Sequence, residues 1–148
     1  MQLLDAADSP SVLTDGALTD RVPQTLAADG THLLAEWYGC DFSLASQNDS
    51  VSLRAVCLAA TRESGLQVVG EIFHQFQPQG VTGTVLLAES HLAIHTWPQE
   101  GFVTLDVYVC NYQADNTHKA LQLYTALKAH FSPWRETLLR VRRGPNRE

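Results

Sequence analysis

The chain has 148 residues, a formal net charge of −6 and a pI near 5.4, a size that buries one usable core. With 45% hydrophobic and 18% charged residues the profile is that of an ordinary globular domain, and its acidity argues against nucleic-acid binding by the surface as a whole. Three cysteines, Cys40, Cys57 and Cys110, with no CxxC spacing, exclude a disulfide scaffold or a zinc framework. No basic leader with a long apolar core and no run of membrane-spanning length is present, so the expectation is a cytoplasmic protein with reduced thiols and no membrane partner.

Residues 1–29 carry Asp5, Asp8, Asp15, Asp20 and Asp29 among Pro10, Gly16 and Pro23. They show no sustained period and are expected to form a mobile acidic extension, with a single domain over residues 30–148. From Thr31 to Gly39, Leu33, Ala35 and Trp37 alternate with His32, Leu34, Glu36 and Tyr38, the period of a strand. Asp49 or Ser50 then caps a helix ending at Gly65. Its stripe of Leu53, Val56, Cys57 and Ala60 makes Cys57 a core residue, not a nucleophile.

A strand follows from Leu66 to Phe76 and breaks at Pro78-Gln79-Gly80. Three more strands run to Cys110, with turns near Glu89–Ser90 and Pro98–Gly101. Asp115 or Asn116 caps a second helix through Phe131, with a stripe of Ala120, Leu123, Tyr124, Leu127 and Phe131. After Ser132-Pro133 a short strand spans Glu136 to Arg142. Half of the ten Lys and Arg lie from Arg135 onward, which reads as a solvated edge and terminus.

Two helices cover one face of such a sheet, so the expected fold is α+β, a two-layer sandwich with a mainly antiparallel sheet. The uncovered face would carry Phe76, Trp97 and Tyr108, too apolar to leave wet. A second copy of the chain covers it economically, which predicts a homodimer joined sheet to sheet.

Side chains alternate along a strand, and counting parity places Thr82 and Ser90, then His91, His95 and Trp97, then Thr104, Asp106, Tyr108 and Cys110 on the open face. His91 and His95 lie ~13 Å apart if the strand is straight, too far to share one metal ion. Ser90, His95 and Asp106 have the composition of a hydrolase triad, but no nucleophile elbow or Gly-rich oxyanion turn flanks Ser90. Cys110 with His95 could form a thiol–imidazole pair. Polar strand faces at an interface without catalysis remain a competing reading.

The stretch GVTGTVLLAESHLAIHTWP from Gly80, with Cys110 closing the next strand, resembles the bacterial S-adenosylmethionine decarboxylase proenzyme family. The resemblance begins near HLLAEWYGCD at His32, includes FHQFQPQGVTG and continues more loosely over the second helix. It implies a precursor that cleaves itself between Glu89 and Ser90, converting Ser90 into a pyruvoyl group, with neither metal nor pyridoxal phosphate. His95 takes the place of the processing base, suited because imidazole exchanges protons near neutral pH. Thr82 stands where a processing hydroxyl is usual, and Cys110 matches the proton donor for turnover.

In such an enzyme the pyruvoyl ketone forms a Schiff base with the substrate amine and accepts the electron pair released with CO2. Phe76 and Trp97 would flank the nucleoside, stacking a purine and attracting a sulfonium. Family members usually have Glu after HTWP to bind ribose hydroxyls. This chain has Gln99, then Glu100, and loses a charge-assisted bond if Gln99 takes that place. The expected function is therefore decarboxylation of S-adenosylmethionine for spermidine and polyamine synthesis. A pyruvoyl decarboxylase of ornithine or arginine on the same scaffold, and a silent homologue that only dimerises, are the rival readings.

Overall fold

A computed structural model describes residues 29–112 and 114–145; nearly all of the acidic extension expected at the N-terminus lies outside them. Six strands form one antiparallel sheet: β1 (Gly30–Tyr38), β2 (Val68–Gln75), β3 (Val81–Leu87), β4 (Ser90–Trp97), β5 (Phe102–Cys110) and β6 (Arg135–Arg143). Their order across the sheet is β2-β3-β4-β5-β1-β6. The helices are α1 (Ala45–Asn48), α2 (Ser50–Glu63) and α3 (Thr117–Phe131). The expected α+β sandwich is therefore observed, with one short helix that the sequence reading did not include.

Local chemistry sets the boundaries of α2. Asp49 accepts from the Val51 and Ser52 N–H groups, satisfying donors that a helix start leaves unpaired. At the other end Gly65 has φ +85°, its N–H donates to Arg62 and the Leu66 N–H donates to Thr61. This double-bonded left-handed ending draws Leu66 into the core and delays β2 to Val68. α1 arises because buried Gln47 accepts from the Leu44 N–H at 2.8 Å and donates to the His130 carbonyl at 2.8 Å. Such an amide bridge has no periodic signature.

Leu33, Ala35 and Trp37 of β1 join Leu92 and Ile94 of β4 and Val103, Leu105, Val107 and Val109 of β5 beneath Leu53, Cys57, Leu123, Leu127 and Phe131 of the helices. Burying side chains of this size contributes roughly 1.5–3 kcal/mol each. Cys57 is fully buried and burial pushes its thiol up to about 12, the inert residue expected. The opposite sheet face is uncovered and keeps large apolar groups in the open: Ile72 is 73% exposed, Leu86 50%, Phe76 48% and Trp97 41%.

Candidate active site

A two-residue turn, Ala88–Glu89, joins β3 to β4, and it resets the alternation. Leu87 and Ser90 stand opposite each other, and Ser90 also stands opposite Val109. Directly opposed residues share a face. Ser90 thus takes the parity of core residues Leu92 and Ile94, not that of His91 and His95. The expectation that Ser90 shares the open face with His95 and Cys110 is corrected: Ser90 lies at the end of the sheet, half-buried, where the two faces meet.

The turn is clamped by backbone groups. The Glu89 carbonyl accepts from the Cys110 N–H at 2.7 Å, and Ala88 N–H donates to the Gln67 carbonyl at 2.9 Å. The Gln67 N–H in turn donates to the Glu89 carboxylate at 3.2 Å. One amide donor is therefore aimed at the carbonyl immediately before Ser90. Asn116 sits behind it: its side-chain Nδ2 donates to the Cys110 carbonyl at 2.9 Å. Asn116 does occupy the position before α3, but its side chain makes no cap bond; Asp115 accepts from the Thr117 N–H instead.

The far end of β4 gathers a second group. Thr82 Oγ1 and His95 Nδ1 lie 2.7 Å apart because the β3–β4 register places those residues opposite each other. The ring of Trp97 is 6.2 Å from that of His95 and 5.2 Å from that of Phe102. An open-sided pocket of about 360 Å³ is lined here by Phe76, Gln79, Gly80, Val81, Thr82, His95, Thr96, Trp97 and Gln99. Phe76, Trp97 and Gln99, expected to bind substrate, and Thr82 and His95, expected to act in processing, thus line one pocket. Glu100 lies in the 3₁₀ turn Pro98–Glu100 and does not line the pocket. Gln79 was not anticipated; its side of the Pro78 break gave it no periodic context.

His95 lies five positions beyond Ser90 along an unbroken strand, about 17 Å. Within one chain, His95 and Ser90 are consequently not brought together. Between the two ends, on the open face, His32 Nε2 lies 3.2 Å from Asp106, Arg143 lies 3.0 Å from His32 Nδ1, and His91 abuts the rings of His32 and Tyr108. Burial, with the nearby His32 and Arg143, holds the His91 imidazole below its ordinary pKa, against the pull of Asp106. No group of three or more His, Cys, Asp or Glu among the described residues is arranged to hold a metal ion.

The chain is thus a two-layer α+β protein with an amide donor on the carbonyl that precedes Ser90. The family model for S-adenosylmethionine decarboxylase matches residues 31–144, and the chain belongs to that family. It is similar to the S-adenosylmethionine decarboxylase proenzyme of Moorella thermoacetica, 45% identical over 85 residues, which cover 57% of this chain and 66% of that protein. The proenzyme of Syntrophomonas wolfei is 47% identical over 81 residues, covering 55% and 63%. The matched part thus spans slightly less than two thirds of these relatives' length. The crystal structure of the adenosylmethionine decarboxylase from Aquifex aeolicus superposes with a TM-score of 0.71 at 36% identity, over 82% of this chain and 96% of that one.

Proposed function

We propose that this chain is a self-cleaving, pyruvoyl-dependent S-adenosylmethionine decarboxylase proenzyme, a carboxy-lyase whose product donates aminopropyl groups in spermidine synthesis. Residues 30–148 form its one domain, and cleavage within it divides the chain into residues 1–89 and 90–148. The observation that carries the reading is the Cys110 N–H pointed at the Glu89 carbonyl. Ser90 Oγ attacks that carbonyl carbon, and the charge that develops on its oxygen meets a donor already in place. The Glu89–Ser90 C–N bond then breaks, the nitrogen takes up a proton, and an ester replaces the amide. A base removes the Ser90 Cα proton as the Cα–Cβ double bond forms, and Glu89 leaves as a carboxylate. The remaining enamine tautomerises and is hydrolysed by water, losing ammonia and leaving a pyruvoyl group at the start of the second chain.

The fit of the residues to this chemistry is specific. Ser90 directly follows the tight turn, so the carbonyl it attacks is its own neighbour, and the Gln67 N–H on the Glu89 carboxylate supports a fixed Glu89. When formed, the pyruvoyl group supplies an electron sink for loss of CO2 from an α-amino acid. Cys110, which follows Ser90's partner Val109 on β5, returns a proton to the substrate Cα through its thiol, the role that the family resemblance implies.

The base is His95, and its distance from Ser90 supports a homodimer. Packing the open faces of two copies together about a twofold axis that runs across the strands brings the His95 end of each onto the Ser90 end of the other. The same contact covers Ile72, Leu86, Phe76 and Trp97, whose exposure otherwise costs free energy. Phe76 and Trp97 then offer aromatic surfaces to the purine and sulfonium, while the Gln99 amide bonds the ribose hydroxyls. Among the described residues of one copy, no carboxylate lines the pocket to pair with the distal cation of ornithine or arginine, which favours the nucleoside substrate.

Two measurements test the proposal. Intact-protein mass should give two chains meeting between Glu89 and Ser90, the second with a blocked N-terminus; a persistent full-length chain contradicts self-cleavage. CO2 release should occur with S-adenosylmethionine and not with ornithine or arginine; the reverse pattern overturns the substrate assignment.

A further inference from the structure

We propose that Asn116 is a positioning residue for self-cleavage, holding the backbone of Cys110 so that its N–H stays aimed at the Glu89 carbonyl. The proposal rests on the cleavage chemistry above and extends it to a residue in the loop before α3.

Asn116 is placed where helices favour a side-chain cap, and Asn is among the best residues for that work. It does not cap. Its side chain turns back to the Cys110 carbonyl at 2.9 Å, while Asp115 accepts from the Thr117 N–H at 2.9 Å. Asn116 is buried, and a buried amide left without its partners costs free energy, so the arrangement is tightly specified. The Asn116 N–H donates to Asn111 Oδ1 at 2.8 Å, and the Asn111 N–H donates to the Asp29 carbonyl at 2.7 Å. The residue whose N–H faces the Glu89 carbonyl is therefore held through its own carbonyl and through the peptide that follows.

The need for such a hold is physical. Cys110 ends β5, opposite Gly30 of β1, where a ladder frays most readily. Stabilising a developing oxyanion requires a donor already in position, because reorganising one during the reaction forfeits much of its benefit. A misplacement of the order of 1 Å costs about a hundredfold in rate in comparable settings. Asn116 Nδ2–H ties the strand end to the first turn of α3, whose Thr117 also shares a buried 2.8 Å hydroxyl contact with Thr31 of β1.

The test separates holding from capping. Asp caps a helix as well as Asn, but its carboxylate cannot donate to the Cys110 carbonyl. N116D should fold with native helix content, with a thermal midpoint lowered because the buried carboxylate lacks the partner that Asn116 has. Its cleavage, followed by mass during a pulse of cell-free synthesis, should slow at least about tenfold. Hydroxylamine cleaves the ester formed by the acyl shift, so it reports that step directly. Hydroxylamine-driven cleavage of N116D should slow in parallel with spontaneous cleavage. Parent-like spontaneous cleavage of folded N116D overturns the proposal, as does normal hydroxylamine cleavage with only the later elimination slowed. If N116D does not fold, Asn116→Ser, which keeps a cap but is too short to reach Cys110, decides by the same readouts. Failure of the parent chain to cleave would refute the underlying function instead.

Discussion

The two ends of β4 share one antiparallel register yet hold their reactive groups by different means. At the Ser90 end the groups that matter are backbone: the Glu89 carbonyl, the Cys110 N–H and the Gln67 peptide. At the His95 end they are side chains, with the Thr82 hydroxyl on His95 and an open pocket walled by Phe76 and Trp97. Breaking a peptide bond needs a carbonyl held still against a fixed donor, which the backbone at the end of the sheet supplies. Recognising a small molecule needs surfaces that differ between substrates, which only side chains provide. One end is therefore sensitive to substitution at Ser90 and at Asn116, whose side chain holds the donor strand, and the other is sensitive along the pocket wall.

The largest expected effect breaks the backbone end. Ser90→Ala removes the attacking oxygen and should abolish cleavage, leaving one full-length mass; any residual 1–89 fragment would point to another nucleophile. Cys110→Ala sharpens the distinction, because it deletes the thiol and keeps the N–H. Cleavage should continue near the parent rate, while kcat for CO2 release falls about 10²- to 10⁴-fold, as for loss of a general acid. Equal losses in both would deny the thiol a separate role in turnover.

Smaller effects belong to the side-chain end and to the cluster between. Gln99→Glu should lower KM for S-adenosylmethionine about fivefold with kcat little changed, since a charge-assisted bond replaces a neutral one. An unchanged KM would remove Gln99 from the substrate contacts. His91 is the smallest case. Its folded pKa lies below its unfolded value, so the unfolded chain binds the proton more readily as pH falls through the ordinary imidazole value near 6.5. Stability is full above that value and declines from there toward the lower folded pKa. His91→Gln should flatten this decline in thermal midpoint between about pH 7 and 5; an unaltered slope would mean other groups cause it.

Much of the fold was legible in the sequence because its signals are local. β1 follows from the alternation of Leu33, Ala35 and Trp37, and α2 from Asp49 at one end and Gly65 at the other. The candidate site was legible as a set of residues but not as an arrangement. Parity counted through residues 82–90 treats them as one strand, and the Ala88–Glu89 turn moves Ser90 to the other parity. The spacing argument that separates His91 from His95 also separates Ser90 from His95, but it applies only once Ser90 is known to begin the strand instead of lying in the turn. Asn116 was legible as a helix cap and nothing more, because the carbonyl it holds lies across a loop whose path no propensity encodes.

Whether the two ends of β4 act together across two copies is tested most directly by mixing two defects. Ser90→Ala keeps His95 and His95→Ala keeps Ser90, and each alone should remain uncut. Co-expressed, they form mixed pairs in which one site unites an intact Ser90 with an intact His95. Intact-protein mass should then show cleavage of the His95→Ala chain only. No cleavage in the mixture, with mixed pairs shown to form, would contradict a site shared between copies.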